Sequence, residues 1–306
     1  MRVLITGMAG FIGSHLADRL LADGHDVVGI DNITTGRKDN LNPDANFVYG
    51  HIANGFPLER AFAYAKPEIV YHCAANYKDP LNWQEDILTN ALGTAEVLKL
   101  AVRFDVRRLV YFQTSLCYGL WPDEQPITTG HPLRPANSYA ASKVCGERYI
   151  ALSGIEHVIL RLANIYGPRN LSGPIPTFYR RLQAGEACTV ADTRRDFVYV
   201  QDLVNLAVRT SSEGQAGVYH VASGTDYAIR DIYRTLADLM IAGMLGPMEI
   251  PAGPDDAPTL LLDPSETHRE FGWQATTPLA TGIEAALDWY DAHGVEDTYT
   301  HLSLKG

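Results

Sequence analysis

Tyr139 and Lys143 stand four residues apart in Tyr139-Ala140-Ala141-Ser142-Lys143, with Thr114 upstream. On a helix that spacing puts a phenol and an amine one turn apart on a single face. A lysine ammonium held beside a phenol favours the phenolate and pulls the tyrosine pKa down from about 10. Tyr139 then becomes a proton-transfer group near neutral pH. Tyr-x-x-x-Lys occurs by chance in many helices, so the elements around the pair decide its meaning.

Those elements begin at residue 2. Residues 2–6 read as a buried strand, followed by Thr6-Gly7-Met8-Ala9-Gly10-Phe11-Ile12-Gly13. A helical run then carries Leu16, Leu20 and Leu21, and Gly24 ends it. A second strand from Asp26 to Ile30 stops at Asp31. Strand, glycine loop, helix, strand and acid in that order make a dinucleotide-binding arrangement. The glycines let the backbone turn tightly and approach a pyrophosphate at the positive end of a helix. Here the spacing is G-x-x-G-x-x-G, a variant of the usual fingerprint. Asp31 falls where a carboxylate accepts from the adenosine ribose hydroxyls, and a 2′-phosphate would meet like charge there. NAD is therefore favoured over NADP, with Arg37 as the nearby cation that could offset such a phosphate. A plain tight turn with a solvated aspartate is the simpler alternative, and the strand and helix on both sides weigh against it.

Alternation continues with strands predicted at 46–50, 68–73, 107–113 and 157–162, and helices at 57–64, 83–103 and 137–152. Such alternation implies a parallel sheet with helices on both faces. From about residue 166 the rhythm changes, as Gly167, Pro168, Gly173, Pro174 and Pro176 break the pattern. A helix at 229–241, a loop rich in Pro, Gly and Asp at 251–258, and a last helix at 279–293 complete this part. The fold class is α/β: a Rossmann-type doubly wound parallel sheet with a smaller, mixed α/β C-terminal substrate portion. The division expected is 1–165 for the dinucleotide and 166–306 for substrate, the chain returning to the first part at about 195–225. In open α/β sheets ligands bind outside the carboxyl ends of the strands, so the smaller part would lean over that crevice.

Composition narrows the partners. The chain has 306 residues, 46% apolar and 20% charged, and a formal net charge of −11. That balance argues against a general binder of nucleic acid or anionic membrane. Cys73, Cys117, Cys145 and Cys188 are widely spaced, which suggests reduced thiols in a cytoplasmic protein and no disulfide framework or metal site. An apolar strand begins at once, without a signal-peptide layout. No run of about 18 apolar residues exists, so no membrane span is expected.

Further stretches complete the picture: His72-Cys73-Ala74-Ala75, Asn90 in Asn-Ala-Leu-Gly-Thr, and Phe112-Gln113-Thr114-Ser115-Leu116-Cys117-Tyr118-Gly119. Arg161-Leu162-Ala163-Asn164-Ile165-Tyr166-Gly167-Pro168-Arg169, Arg195-Asp196-Phe197-Val198-Tyr199-Val200 with Asp202, and Phe271-Gly272-Trp273 follow. Together with the glycine loop, Asp31-Asn32 and the Tyr139/Lys143 pair, these run nearly end to end. The chain resembles an extended short-chain dehydrogenase/reductase, and more narrowly the NAD-dependent nucleotide-sugar epimerase/dehydratase family.

The resemblance implies roles. Tyr139 would take the sugar hydroxyl proton as NAD accepts the hydride. Lys143 would hold the nicotinamide ribose, and Thr114 would share the same sugar oxygen. Gly7, Gly10, Phe11, Ile12, Gly13, Asn32, Ala74 and Ala75 would line the NAD site, with Asp31. Asn164 and Arg195 match positions that contact the nucleotide diphosphate, which a guanidinium can grip bidentately. Arg195 could instead pair with Asp196 or Asp202. His72 and Asn90 read as structural hydrogen-bonding residues near the site, and Cys117 as a small core residue. Long helices at 83–103 and 137–152 would pair across a homodimer interface.

The chemistry after hydride abstraction turns on residues 115 and 116. Dehydratases resembling this chain carry Asp-Glu directly after the threonine, and decarboxylating relatives keep the Glu. Here those positions are Ser115 and Leu116, and leucine cannot move a proton. Epimerisation is therefore favoured, with UDP-hexose C4 inversion through a 4-keto sugar as the first choice. A dehydratase, decarboxylase, ketoreductase or non-catalytic NAD-binding regulator remain as alternatives. Three features bear on specificity. His51-Ile52 stands where relatives have an adenine-binding Asp, leaving the Ile52 backbone or another group as the contact. Gly253 stands where relatives have a phosphate-binding Arg, for which Arg180, Arg181 or Arg194 could substitute. Finally, Lys78, in Asn76-Tyr77-Lys78-Asp79-Pro80, could meet a sugar carboxylate or simply be solvated.

Overall fold

The structure, a computed structural model, describes residues 1–240, 246–253 and 256–299. Its main sheet takes β1 (Arg2–Thr6), β2 (Asp26–Asp31), β3 (Asn46–Tyr49), β4 (Ile69–His72), β5 (Arg108–Thr114) and β6 (His157–Leu162). Beyond these lie β7 (Asn164–Tyr166), β8 (Thr189–Ala191), β9 (Arg194–Tyr199), β10 (Gly217–Val221), β11 (Asp226–Ala228), β12 (Met248–Ile250) and β13 (Thr259–Leu260). The seven-stranded order is β10-β6-β5-β4-β1-β2-β3, and every pair in it is parallel. Winding reverses between β1 and β4, which makes the carboxyl end of those strands the switch point. The Rossmann-type class expected from alternation is the class observed, and β10 brings the chain back from the later part into the main sheet.

Both sheet faces are covered, so the strands read as continuous apolar runs. Val3, Leu4 and Ile5 are fully buried, yet Val3 and Ile5 join one core cluster and Leu4 the other. That split is the period-two alternation of a strand, expressed between two apolar faces. Helices α1 (Phe11–Ala22), α2 (Gly55–Ala65), α3 (Trp83–Asp86), α4 (Thr94–Arg103) and α5 (Ser138–Leu152) cover the sheet. Asn137 caps α5, its Oδ1 accepting from the Ala140 amide at 2.8 Å, which places Tyr139 in the first turn.

The helix expected over 83–103 is not a single α-helix. A π-helical segment, Ile87–Gly93, separates α3 from α4. A regular periodicity cannot report such a widening, which tends to occur at functional positions. Its centre here is Asn90, whose Oδ1 accepts from the Asn76 amide and whose Nδ2 donates to the Asn76 carbonyl and to Ser142 Oγ.

The smaller part packs around a third core that includes Tyr166, Ile175, Phe178, Phe197, Tyr233 and Tyr290. Its mixed sheet runs β11-β9-β13, with β7 also on β9, while β12 pairs β8. Helices Pro174–Gln183, Ile229–Leu239 and Leu279–His293 surround it. The helix predicted over 229–241 thus ends at Leu239, and its expected last residue, Ile241, lies outside the described residues, as does Asp255 of the acidic loop. Among the described residues no helix is long and apolar enough to cross a membrane, no cluster of side chains could hold a metal ion, and all four cysteines are free.

Candidate active site

One continuous cleft runs along the carboxyl ends of the strands. Its walls include Gly7 after β1, Asp31 of β2, Ala74 and Ala75 after β4, Thr114 of β5 and Asn164 beyond β6.

One end of the cleft is made largely of backbone. Gly7 has φ +72°, and a Cβ there would lie 2.7 Å from the Ala74 amide nitrogen. A Cβ on Gly13 would come within 2.2 Å of the Gly7 carbonyl oxygen. Only glycine fits either place. Helix α1 starts at this loop with no side-chain cap, so its first-turn amides face the cleft's end as an anion-binding terminus. Asp31 is buried, its Oδ2 accepting from the Ala9 amide at 2.9 Å and its Oδ1 from Ile33 at 2.7 Å. Burial pushes its pKa up and these amides pull it back. Phe11, Ile12, Asn32 and Ile52 line the same stretch. Arg37 does not: it pairs with Asp39 at 3.1 Å and lies over the Trp289 ring, so its guanidinium is not placed to meet a 2′-phosphate beside Asp31. His51 lines the cleft with Nδ1 accepting from the Ala53 amide, and its Nε2 is 3.0 Å from both Glu85 and Thr89. The accepted amide hydrogen makes Nε2 the protonated nitrogen of the neutral ring. A glycine cradle, an uncapped helix start and a buried carboxylate at a strand end fit a dinucleotide without a 2′-phosphate.

Farther along, the residues expected to transfer protons come together. Thr114 and Tyr139 line the cleft, and Lys143 is buried one turn along α5. Gln113 ties them into one unit. Its Oε1 accepts from the Thr114 amide at 2.9 Å, and its Nε2 donates to the Lys143 carbonyl at 3.0 Å and to Glu147 at 2.9 Å. Glu147 is itself held by Arg161 at 2.5 Å. The expected electrostatics are corrected here. Burial raises the Tyr139 pKa above its ordinary value, helped by Asp86 and Cys117, and burial lowers that of Lys143 to about 7. Desolvation penalises both charged forms at once, which outweighs the attraction that spacing alone would suggest. Lys143 Nζ rests 3.9 Å from the centroid of the Tyr111 ring, a cation–π position for its protonated form.

Asn90 ties backbone segments together, as read from sequence, and His72 bridges Thr6 at 2.7 Å and Thr94 at 2.9 Å. Fully buried, with its pKa lowered to about 3 by desolvation, His72 stays neutral. Cys117 is a buried core residue. Asp86 is the group not singled out from sequence: buried, it accepts from Asn76 Nδ2 at 2.8 Å, and desolvation raises its pKa beside Tyr139.

The residues expected at the substrate divide. Asn164 lines the cleft, its Nδ2 donating to the Asp196 carbonyl at 3.2 Å. Arg195 does not line it. Its partner is neither Asp196 nor Asp202 but Asp256, with further bonds to the Ala257 and Arg194 carbonyls. Arg194 is likewise engaged with Asp226, Arg181 with the Ala187 carbonyl, and Arg180 lies at the Glu296 carbonyl, so none of the three stands in for the missing arginine at Gly253. Lys78 is exposed with its Nζ 5.9 Å from the Tyr299 ring centroid, outside the lining. The lining contributed by Tyr299 was not read from the sequence. Tyr77 sits within the singled-out 76–80 stretch, whereas Tyr299 carries no local signal.

The sequence profile of the NAD dependent epimerase/dehydratase family matches residues 3–222. A UDP-glucose 4-epimerase of Mycolicibacterium smegmatis is 33% identical over 95% of this chain and 98% of its own. Among solved structures, the Bordetella bronchiseptica enzyme WbmH in complex with NAD+ superposes with a TM-score of 0.93 at 45% identity, covering 96% of this chain and 99% of that one. The enzyme WbmG of the same organism, in complex with NAD and UDP, gives 0.91 at 43% identity over 99% of both chains. The chain belongs to the NAD-dependent epimerase/dehydratase family, and NAD is the cofactor its glycine cradle and Asp31 suit.

Proposed function

We propose that the chain is an NAD-dependent epimerase of a nucleotide-activated sugar, and that it inverts C4 of a UDP-hexose through a transient 4-keto sugar. One observation carries the choice among the family's reactions. Among the described lining residues the only carboxylates are Asp31 and Glu85, both engaged at the cofactor end. Ser115 and Leu116, where eliminating relatives hold acid and base, lie outside the lining, and Leu116 packs on the core. Loss of water or carbon dioxide needs an acid or base beside C5 or C6; inversion does not.

Bound NAD supplies a reversible hydride acceptor in this cleft. Tyr139 takes the proton of the C4 hydroxyl and later returns it, with Thr114 sharing that oxygen. Phenol protonated and amine neutral is the resting state that burial favours. Passing one proton from Tyr139 to Lys143 creates the phenolate without changing the pair's total charge. Asn164 and the backbone at the base of the smaller part take the nucleotide diphosphate. Arg195 reaches it only by leaving Asp256, and Lys78 reads the sugar only from the rim.

Residues 1–165 with the return through β10 form the cofactor part, and the rest carries substrate specificity. Exposed Trp83 on α3, Ile87 and Leu92 on the π-segment, and Tyr149 and Leu152 on α5 suit a homodimer built on those helices. A cytoplasmic setting suits the four free thiols.

Proton NMR in D₂O with UDP-glucose, UDP-N-acetylglucosamine and UDP-glucuronate tests this reading. A C4 epimer free of deuterium in the sugar is expected. Deuterium at C5 or C6 with a 4-keto signal would show elimination and overturn it.

A further inference from the structure

One buried glutamine is bonded to both elements that carry the residues expected to move protons. Gln113 stands beside Thr114 on β5 and is 1% exposed. Its Oε1 accepts from the Thr114 amide at 2.9 Å, while its Nε2 donates to the Lys143 carbonyl at 3.0 Å and to Glu147 at 2.9 Å on α5. The side-chain amide can sit only this way round. Turned over, it would aim its oxygen at the Lys143 carbonyl and the Glu147 carboxylate, and its N–H groups at the Thr114 amide. Glu147 is fixed in turn by Arg161, whose Nη1 donates to Tyr118 Oη at 2.7 Å and to the Thr129 carbonyl at 3.1 Å. His220 closes the network. Its Nδ1 faces the Asp263 carbonyl at 2.9 Å and so carries the proton, which leaves Nε2 to accept from the Tyr118 hydroxyl at 2.6 Å. Desolvation holds His220 neutral, its pKa lowered to about 4. Each of these buried groups has its partner, so the network specifies one arrangement.

We propose that Gln113 is a positioning residue for the reaction: it sets the Thr114 hydroxyl against the Tyr139 phenol by clamping the end of β5 to α5. The inference deepens the epimerase reading and rests on it. Thr114 Oγ1 accepts from the Leu116 amide at 3.2 Å, and the Tyr139 ring packs on Tyr77 with centroids 5.9 Å apart. Those contacts orient each side chain, but neither joins β5 to α5. Tyr111 Oη also reaches the Lys143 carbonyl, at 3.1 Å, from farther back along the strand. Gln113 is the link that ends on Thr114 itself. Two groups that share one sugar oxygen need their separation held to about 0.5 Å, which a rigid clamp behind them supplies.

The experiment is a double-mutant cycle on the NAD-loaded protein: wild type, Gln113→Met, Thr114→Val and the double variant. Methionine keeps the length of glutamine and removes its hydrogen bonds. With Thr114 present, Gln113→Met is expected to lower kcat by on the order of 10²-fold, the scale of a roughly 1 Å misplacement, with KM and retained NAD within about twofold. In the Thr114→Val background the same change should cost less than about twofold, because the clamp has no hydroxyl left to align. An equal factor in both backgrounds, or a loss below about threefold with Thr114 present, would make Gln113 a purely structural residue and overturn the proposal. Should Gln113→Met not fold, Gln113→Asn runs the same cycle, since its amide is one methylene too short to serve both ends. Turnover is read on whichever of UDP-glucose, UDP-N-acetylglucosamine or UDP-glucuronate the wild type accepts. A product of elimination overturns the epimerase reading and leaves this test in place, because removal of the C4 hydroxyl proton opens that reaction too. If none of the three is turned over, crystal structures of wild type and Gln113→Met decide the matter. A Thr114 hydroxyl unmoved relative to Tyr139 then sinks the clamp.

Discussion

The two ends of the cleft recognise by different means. At the cofactor end the main chain does the work: Gly7 and Gly13 admit no side chain, the amides of Ala9 and Ile33 hold Asp31, and the start of α1 is left uncapped. At the end proposed for the sugar, side chains from distant segments line the cleft: Thr114 on β5, Tyr139 on α5, Asn164 on β7, Tyr77 after β4 and Tyr299 near the end of the described chain. Backbone recognition reads a feature common to all dinucleotides. Side-chain recognition can change with substrate, one residue at a time, while the scaffold stays. The division matches the chemistry, since the cofactor is constant across the family and the sugar is not.

The largest expected effect lies at the sugar end. Tyr139→Phe keeps the ring against Tyr77 and removes only the hydroxyl, so NAD content and folding should remain while kcat falls by on the order of 10³-fold, as loss of a general acid–base group predicts. Stopped-flow turnover beside the absorbance of retained cofactor would separate the two quantities. A variant that keeps a tenth of its rate would move the proton-transfer role away from Tyr139.

At the other end, Gly13→Ala should act on the cofactor first. Its Cβ would fall 2.2 Å from a main-chain oxygen that has no rotamer with which to retreat. The loop and the start of α1 must shift together, and retained NAD should drop by about tenfold or more, since displacing the anion-binding amides forfeits charge-assisted hydrogen bonds. Wild-type NAD content in the purified variant would mean that the loop yields, and that the cradle is softer than its geometry.

The same division governs what the sequence discloses. Gly7, Gly10, Gly13 and Asp31 were legible because their spacing is local and each obeys a main-chain requirement. Tyr139, Lys143 and Thr114 were legible as types in order, but their electrostatics were not, because burial is a property of the assembled core. Arg195 was misplaced for a related reason: its partner Asp256 is 61 residues away, and no spacing rule joins them. The π-helical segment around Asn90 is invisible to a pattern that assumes a regular period, although the hydrogen bonds Asn90 makes were anticipated in kind. Tyr299 escaped altogether, since it comes from a segment with no motif and gains meaning only by packing on Tyr77.

The smallest of these effects, on the order of a few degrees in Tm, sharpens the comparison by setting one buried charge against another. Asp31 is buried where amides already point at it, so the scaffold offsets part of its desolvation. Lys143 is buried against the Tyr111 ring, and its pKa falls to about 7. Below that pH both folded and unfolded chains hold the proton, and the folded protein bears the full cost of the buried ammonium. Between about 7 and about 10 the unfolded chain keeps a proton that the folded one has lost, so this residue's contribution to stability rises with pH. In NAD-stripped protein, Lys143→Met should therefore raise Tm at pH 6 by roughly 5 °C, and the gap should shrink steadily toward pH 9.5. Histidines and carboxylates titrate alike in both proteins and cancel in the difference. A gap that stays constant across that range would mean that Lys143 keeps its proton in the folded state. The charge would then be as well supported at the sugar end as Asp31 is at the other, and the contrast between the two ends would reduce to one of shape.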